Sequence, residues 1–263
     1  YGKKSESEKF AGAVDTYGVE AMMQDGKALQ FGTSHNLGQN FSKVFNIQYT
    51  DKKGELKYPW QTSWGASTRM VGALVMAHSD DNGLVLPPSI APVQVVLVPI
   101  FKDLNKEKIM RYTKDVYKEI TRKIDDVKID ERDFVSVGFK FNEWEKKGIP
   151  IRVEIGEKEM KEGAVVLVRR DTLEKRNVKY GNVLDEVVLL LEEIQSSLYE
   201  KSKELLISKT HRVEEYKEFK KVFSENKGFA LANWCGSKEC EENIKYETKA
   251  TTRCLRTEGE GVL

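Results

Sequence analysis

The sequence predicts mixed α/β and α+β structure in three regions, 1–92, 93–190 and 191–263. Val93 to Ile100 (VQVVLVPI) is a continuous β-branched run, the pattern of a strand buried on both faces. Between Leu104 and Ile124, the residues Ile109, Val116, Ile120 and Ile124 fall at helical spacing on one stripe. Pro87, Pro88 and Pro92 punctuate the chain just before the run and mark a linker.

In the first region, short strands and loops alternate. Ala28 to Phe31 reads as a strand end and Met70 to Ala77, which carries no charge, as a buried helix. In the second region, Phe134 to Gly138, Ile149 to Ile155 and Ala164 to Arg169 are strand candidates, with breaks at Gly148, Gly156 and Gly163. A helix then starts at Asn182, a residue suited to an N-cap, with Asp185 in its first turn. Strands alternating with helices give a mixed sheet with helical cover. In the third region, one long charged helix is expected from Leu191 to Phe223, with Leu198, Leu205, Tyr216, Phe219 and Phe223 along one side. Asn226-Lys227-Gly228 ends it, and Phe229 to Trp234 (FALANW) is a strand leading into Cys235.

Composition excludes several classes. Hydrophobic residues make up 40% and charged residues 32% of 263, the balance of a soluble globular protein. No apolar run approaches the ~20 residues of a membrane helix, and the polar start YGKKSESEK is no signal peptide. The chain opens without an initiator methionine, so it is expected to start inside a longer protein or after processing. Three cysteines are too few for a disulfide framework, which makes a reducing cytoplasm the default compartment. A net charge of +1 neither requires nor excludes a nucleic-acid partner, because a local basic face suffices for phosphate.

The most informative stretch is Gln61 to Pro88, QTSWGASTRMVGALVMAHSDDNGLVLPP. Arg69 follows a small, flexible lead-in and enters the uncharged helix, a costly position unless an anion meets it. Gly65 nearby lets a ligand approach the backbone. This segment resembles motif 3 of class II aminoacyl-tRNA synthetases, in the form found in prolyl-tRNA synthetases of the archaeal and eukaryotic type. The likeness runs from YGKKSESEKFAGA to CGSKECE and ATTRC, nearly end to end. It implies a partial antiparallel-sheet catalytic domain over 1–92, a mixed-sheet α/β anticodon-binding domain over 93–190, and a small α+β zinc-type C-terminal domain over 191–263.

The segment LQFGTSHNLGQNF carries a second family signature. A histidine after a serine is, by itself, equally a loop histidine with a hydrogen-bonded ring, and with no nearby acid or cysteine nucleophile a hydrolytic triad is unsupported. The resemblance implies ATP contacts for Gln30, Thr33 and Arg69, and a proline pocket closed by His35 and lined by Trp64 and Ser67. The implied reaction is ATP-dependent activation of proline with Mg²⁺, then transfer to proline tRNA. Motifs 1 and 2 are not found, so this chain alone is expected to be inactive, and the parent enzyme to be a homodimer. His78, Asp80 and Asp81 read as a solvated loop capping the helix rather than as metal ligands.

Lys140 to Glu159 reads as a charged loop before a strand, a solvated edge with salt bridges. The match of WEKKGIPIRVEIG to the family implies anticodon contacts for Glu145, Arg152 and Lys158, with Arg169, Arg170 and Asp171 as lesser candidates. Cys235 and Cys240 form a C-x4-C pair that could hold structural Zn²⁺, although Cys254 as a third thiolate leaves a tetrahedral site one ligand short. A rival reading is a non-catalytic tRNA-binding protein derived from a synthetase. Against it, Gln30, Thr33, His35, Trp64 and Arg69 all retain the active-site pattern.

Overall fold

The computed structural model describes residues 1–225 and 228–255. The chain forms two compact units, Tyr1–Ala77 with Glu204–Leu263, and His78–Lys203.

The first unit is built on an antiparallel sheet of β1 (Gly2–Lys3), β2 (Asp15–Met22), β3 (Ala28–Gly38) and β6 (Gln61–Ala66), in the order β1-β2-β3-β6. Helix α1 (Asn40–Val44) and a small hairpin, β4 (Tyr49–Thr50) with β5 (Leu56–Lys57), lie between β3 and β6 in the chain. Where a strand end was expected at Ala28, β3 runs on through the whole GTSH segment. Helix α2 (Arg69–His78) forms as the apolar run predicts, but it is not buried: none of its residues is, and Met70, Val71, Val75 and Met76 are exposed. An uncharged run selects an apolar environment without specifying which surface supplies it, and here one side of the helix, with Ala73, Leu74 and Ala77, is only half-buried.

The second unit holds a five-stranded mixed sheet in the order β11-β10-β9-β7-β8. Its elements are β7 (Val95–Pro99), α3 (Lys106–Ile120), β8 (Val127–Ile129), α4 (Val137–Lys146), β9 (Ile151–Ile155), α5 (Glu157–Glu162), β10 (Ala164–Arg169), β11 (Lys175–Lys179) and α6 (Val183–Ser208). β8, β7 and β9 are parallel; β10 and β11 are antiparallel additions. Every residue of β7 and β9 is buried, as the β-branched run requires. Val95 and Leu97 pack with Ile109 and Val116 of α3 and Leu190 and Ile194 of α6. Val96 and Val98 face the other way, onto Trp144 of α4 and Ile149. Helices therefore cover both sheet faces.

The strand expected at Phe134 to Gly138 is instead the entry to α4. Ser136 is its N-cap, and its Oγ accepts a hydrogen bond from the Phe139 N–H at 3.2 Å. That bond satisfies an otherwise unpaired helix donor, and the local capping gain outweighs the strand preference of Phe and Val. The charged loop expected after Lys140 is accordingly the body of α4. The last helix of the unit begins at Val183 behind a short 3₁₀ turn that contains Asn182.

The single helix expected from Leu191 to Phe223 is interrupted. α6 ends at Ser208, and β12 (Thr210–Arg212) pairs in parallel with β13 (Phe229–Leu231). Helix α7 (Tyr216–Glu225) comes between them and α8 (Lys238–Thr248) follows. Gly228 permits this crossing: its φ is 153°, and a Cβ there would lie 2.1 Å from the Lys209 carbonyl oxygen. The rest of the expected helix stop, Asn226 and Lys227, lies outside the described residues.

Candidate functional site

Three residues picked from the GTSH signature share one face of the first sheet. In the β2–β3 register, His35 pairs with Thr16, Thr33 with Gly18 and Gln30 with Glu20. A bulge at Phe31 makes this possible, because without the extra residue Gln30 and Thr33, three apart, would point to opposite faces. Thr33 is flanked by Gly18 on β2, over which the Lys4 side chain lies with its Cε 2.7 Å from where a Cβ would be, and by Gly65 on β6. Nothing stands within 4 Å of where a Gly65 Cβ would be. His35 Nδ1 lies 2.9 Å from the Thr16 hydroxyl, and its ring lies 4.9 Å from Phe10. These contacts fix the imidazole, and the Gly65 side of Thr33 stays open.

Arg69 is exposed at the start of α2, and its Nη1 donates to the Gln30 carbonyl at 3.1 Å. Its own N–H is capped by Ser67 Oγ at 3.3 Å. Gln30, Thr33 and His35 thus share one face of the inner strand β3, and Arg69 reaches the backbone of Gln30 beside them. Trp64 does not join them. It pairs with Ser34, which puts its exposed indole on the opposite face from Thr33 and His35.

On the second sheet, Glu145 and Arg152 do meet. Arg152 Nη1 donates to Glu145 Oε1 at 2.7 Å, while Nε and Nη2 hold Glu154 Oε1 at 3.1 and 3.0 Å. The guanidinium carbon lies 4.1 Å from the Phe141 ring centroid, and the residue is only 7% exposed. Lys175 closes the cluster on Glu154 Oε2 at 3.1 Å. A planar cation is therefore oriented between two carboxylates on the face that α4 covers, with three of its five N–H donors engaged. Lys158 is elsewhere, exposed in the first turn of α5.

The lesser candidates serve as braces. Arg169 binds Asp171 at 3.0 and 2.8 Å and Glu193 at 3.0 Å. Arg170 grips Asp80 at 2.8 and 2.6 Å and the Glu145 carbonyl at 2.9 Å. Asp80 is thus anchored rather than left in a solvated loop, and the Arg170 guanidinium holds its carboxyl below the usual range. Burial pushes the His78 imidazole down, with the Lys201 charge adding to it.

The cysteines do not converge. Cys235 Sγ lies 3.4 Å from Ser237 Oγ at the start of α8, where Ser237 caps the Cys240 N–H at 3.1 Å. Cys254 instead lies 3.8 Å from the Gly18 carbonyl beside β2. Among the described residues, no three His, Cys, Asp or Glu side chains are grouped to hold a metal ion. Cys235 and Cys240 lie at the start of α8, and Cys254, the weakest of the three expected ligands, stands apart from them beside β2. A cavity of about 620 Å³ lies in the same unit, lined by Tyr216, Phe219, Phe223 and Trp234 among others, and no predicted site residue lines it.

The sequence reading missed a buried charge cluster behind α4. Lys140, 2% exposed, donates to the Asp130 carbonyl at 3.0 Å. Asp130 accepts from Trp144 Nε1 at 2.8 Å and from Arg132 Nε and Nη2 at 2.8 and 2.7 Å. The i, i+4 spacing of Lys140 and Trp144 puts them on one helix face, but Asp130 sits on another element, so spacing alone could not pair them.

Residues 94–189 match the model of an anticodon binding domain, and residues 216–261 match that of the prolyl-tRNA synthetase C-terminal domain. These place the chain in the class of aminoacyl-tRNA synthetases. Proline--tRNA ligase of Natranaerobius thermophilus is 48% identical over 259 residues, 98% of this chain and 53% of that protein. Proline--tRNA ligase of Cytophaga hutchinsonii is 51% identical over 255 residues, 97% of this chain and 52% of the relative. Proline--tRNA ligase 2 of Clostridioides difficile is 49% identical over 261 residues, 99% and 54% respectively. The chain belongs to the prolyl-tRNA synthetase family, in the C-terminal part of that family's sequence. It spans about half the length of the curated relatives it matches. Among the described residues, no helix is long and apolar enough to cross a membrane.

Proposed function

We propose that the chain is part of a proline–tRNA ligase, with a catalytic portion over 1–92, an anticodon reader over 93–190 and a C-terminal domain over 191–263. The observation that carries this is the Glu145–Arg152–Glu154 cluster, a fixed guanidinium between carboxylates inside the segment that matches an anticodon binding domain. A guanidinium can donate two hydrogen bonds to a guanine edge, and a carboxylate can accept from guanine's N–H groups. Arg152 and Glu145 are the base readers in this proposal, and Lys158 meets the backbone or a further base.

On the first sheet, Gln30 and Thr33 bind ATP on the face they share, open beside Gly65, and Arg69 clamps its phosphates with a planar fork. The proline carboxylate oxygen attacks the α-phosphorus as the bond to pyrophosphate breaks, giving prolyl-adenylate. The prolyl group then passes to a ribose hydroxyl of the tRNA with loss of AMP. Such a transfer depends on positioning and on cations meeting developing charge more than on a general base. Mg²⁺ supplies further charge neutralisation when bound with ATP. His35, fixed by Thr16, bounds the proline pocket; Ser67 contributes through the turn that presents Arg69. Trp64 lines the pocket in this proposal only if it turns from the face on which β6 places it. The intact enzyme is proposed to be a cytoplasmic homodimer, a state that light scattering of the longer protein would read.

The test is binding of this chain, at one stated salt concentration, to proline tRNA and to the same tRNA with a changed anticodon. The expected result is a clear preference for the proline anticodon that Glu145→Ala removes. Equal binding of the two tRNAs by the unaltered chain would refute the anticodon assignment.

A further inference from the structure

The parallel strands of the second sheet reverse their order around β7. From β7 the chain passes through α3 to β8 on one side, then through α4 to β9 on the other. The two helices lie on opposite faces, since α3 packs on Val95 and Leu97 and α4 on Val96 and Val98. Such a switch in strand order opens a crevice at the carboxyl ends of the strands, where ligands of open α/β sheets bind.

Three loops meet at that rim and are tied together. Lys106, after β7, pairs with Asp133, after β8, at 2.5 Å. Asn105 donates to Glu157, in the first turn of α5, at 3.1 Å. Lys102 and Lys158 stand exposed on the same loops. Around these ties the apolar residues point outward: Leu104 is fully exposed, Phe134 is 79% exposed and Phe139 is 54% exposed. Two exposed phenyl rings flanking the Ser136 cap leave apolar faces in water, which is unfavourable without an occupant. The rim thus offers stacking faces beside the two exposed lysines, Lys102 and Lys158.

We propose that this rim is a stacking platform for unpaired bases of the anticodon loop, with Phe134 and Phe139 as the rings and Lys158 at its edge. The inference rests on the anticodon reading above and adds a subsite separate from the Glu145–Arg152 pair. Aromatic stacking accepts every base, so the platform contributes affinity and orientation without choosing sequence.

The experiment uses this chain with Phe134→Ala, Phe139→Ala and Phe134→Trp, against proline tRNA and its anticodon-changed counterpart. Each alanine is expected to weaken both tRNAs by the same factor, about 5- to 150-fold. The salt dependence should stay unchanged, because no charge is lost. Phe134→Trp should retain affinity, with its emission quenched on binding. Alanine variants that bind like the unaltered chain overturn the platform. If they also lose a self-association seen by light scattering, the rim is a protein contact instead. The unaltered chain's preference between the two tRNAs separately decides the anticodon reading, so the two failures are distinguishable.

Discussion

Asp130→Ala should be the most damaging single change in the second unit. The carboxylate holds Trp144 Nε1 and two donors of Arg132, and Lys140 Nζ stands 3.9 Å from Oδ1. Its side chain is 1% exposed and that of Lys140 is 2% exposed, so neither cation nor indole gains water when the carboxylate goes. Removing one partner of a buried ion pair costs about 3–5 kcal/mol. That is a large share of the ~5–15 kcal/mol that stabilises a typical domain. The pH dependence gives an independent check. Burial pushes the Asp130 carboxyl up, but hydrogen bonds from Arg132 and Trp144 and the Lys140 charge outweigh it and hold the group at about 2. Against its ordinary 3.8, this is worth about 2 kcal/mol. The folded value is depressed, so this stability is fully present above pH 3.8 and is lost as pH falls through about 2. The assay is urea-dependent hydrogen exchange of peptides from β7, β8 and β9, which isolates this unit. Asp130→Ala should lower the opening free energy by at least 3 kcal/mol, and Asp130→Asn with Lys140→Met should recover part of it. A loss below 1 kcal/mol, or unchanged protection from pH 5 to pH 2, would refute the reasoning.

Two further outcomes are expected. In the longer enzyme, Arg69→Ala should cut proline-dependent ATP–pyrophosphate exchange about 100-fold or more while leaving tRNA affinity nearly unchanged; equal losses in both would make Arg69 a structural residue. The Ser237 hydroxyl lowers the Cys235 thiol, whereas burial raises Cys254. Iodoacetamide at pH 7.5 should therefore label Cys235 well before Cys254, as mass spectrometry would show, and the reverse order would contradict the placement of Cys254 beside Gly18.

Local pattern was enough for β7, α3, β9 and β10, because a continuous β-branched run, a helical stripe and glycine breaks are properties of consecutive residues. Glu145 and Arg152, which meet in space, and Gln30, Thr33 and His35, which share a face, were selected by the family resemblance, since pattern alone left a solvated edge and a loop histidine. Tertiary structure decided what depends on a partner far along the chain. One miss was local: Phe134 to Gly138 has strand-forming residues, yet the Ser136 cap on the Phe139 N–H makes it a helix entry. Leu191 to Phe223 keeps a helical stripe, yet Thr210 to Arg212 is taken by β13. The bulge at Phe31 sets which face Gln30 uses, and the β3–β6 register puts Trp64 on the other side. Asp130 finds Lys140 and Trp144 only because β8 and α4 lie against the same strand. The sequence by itself determined the periodic elements and the residue types able to do the chemistry. Register and burial, which depend on pairing energies between distant segments, decided which of those residues face each other.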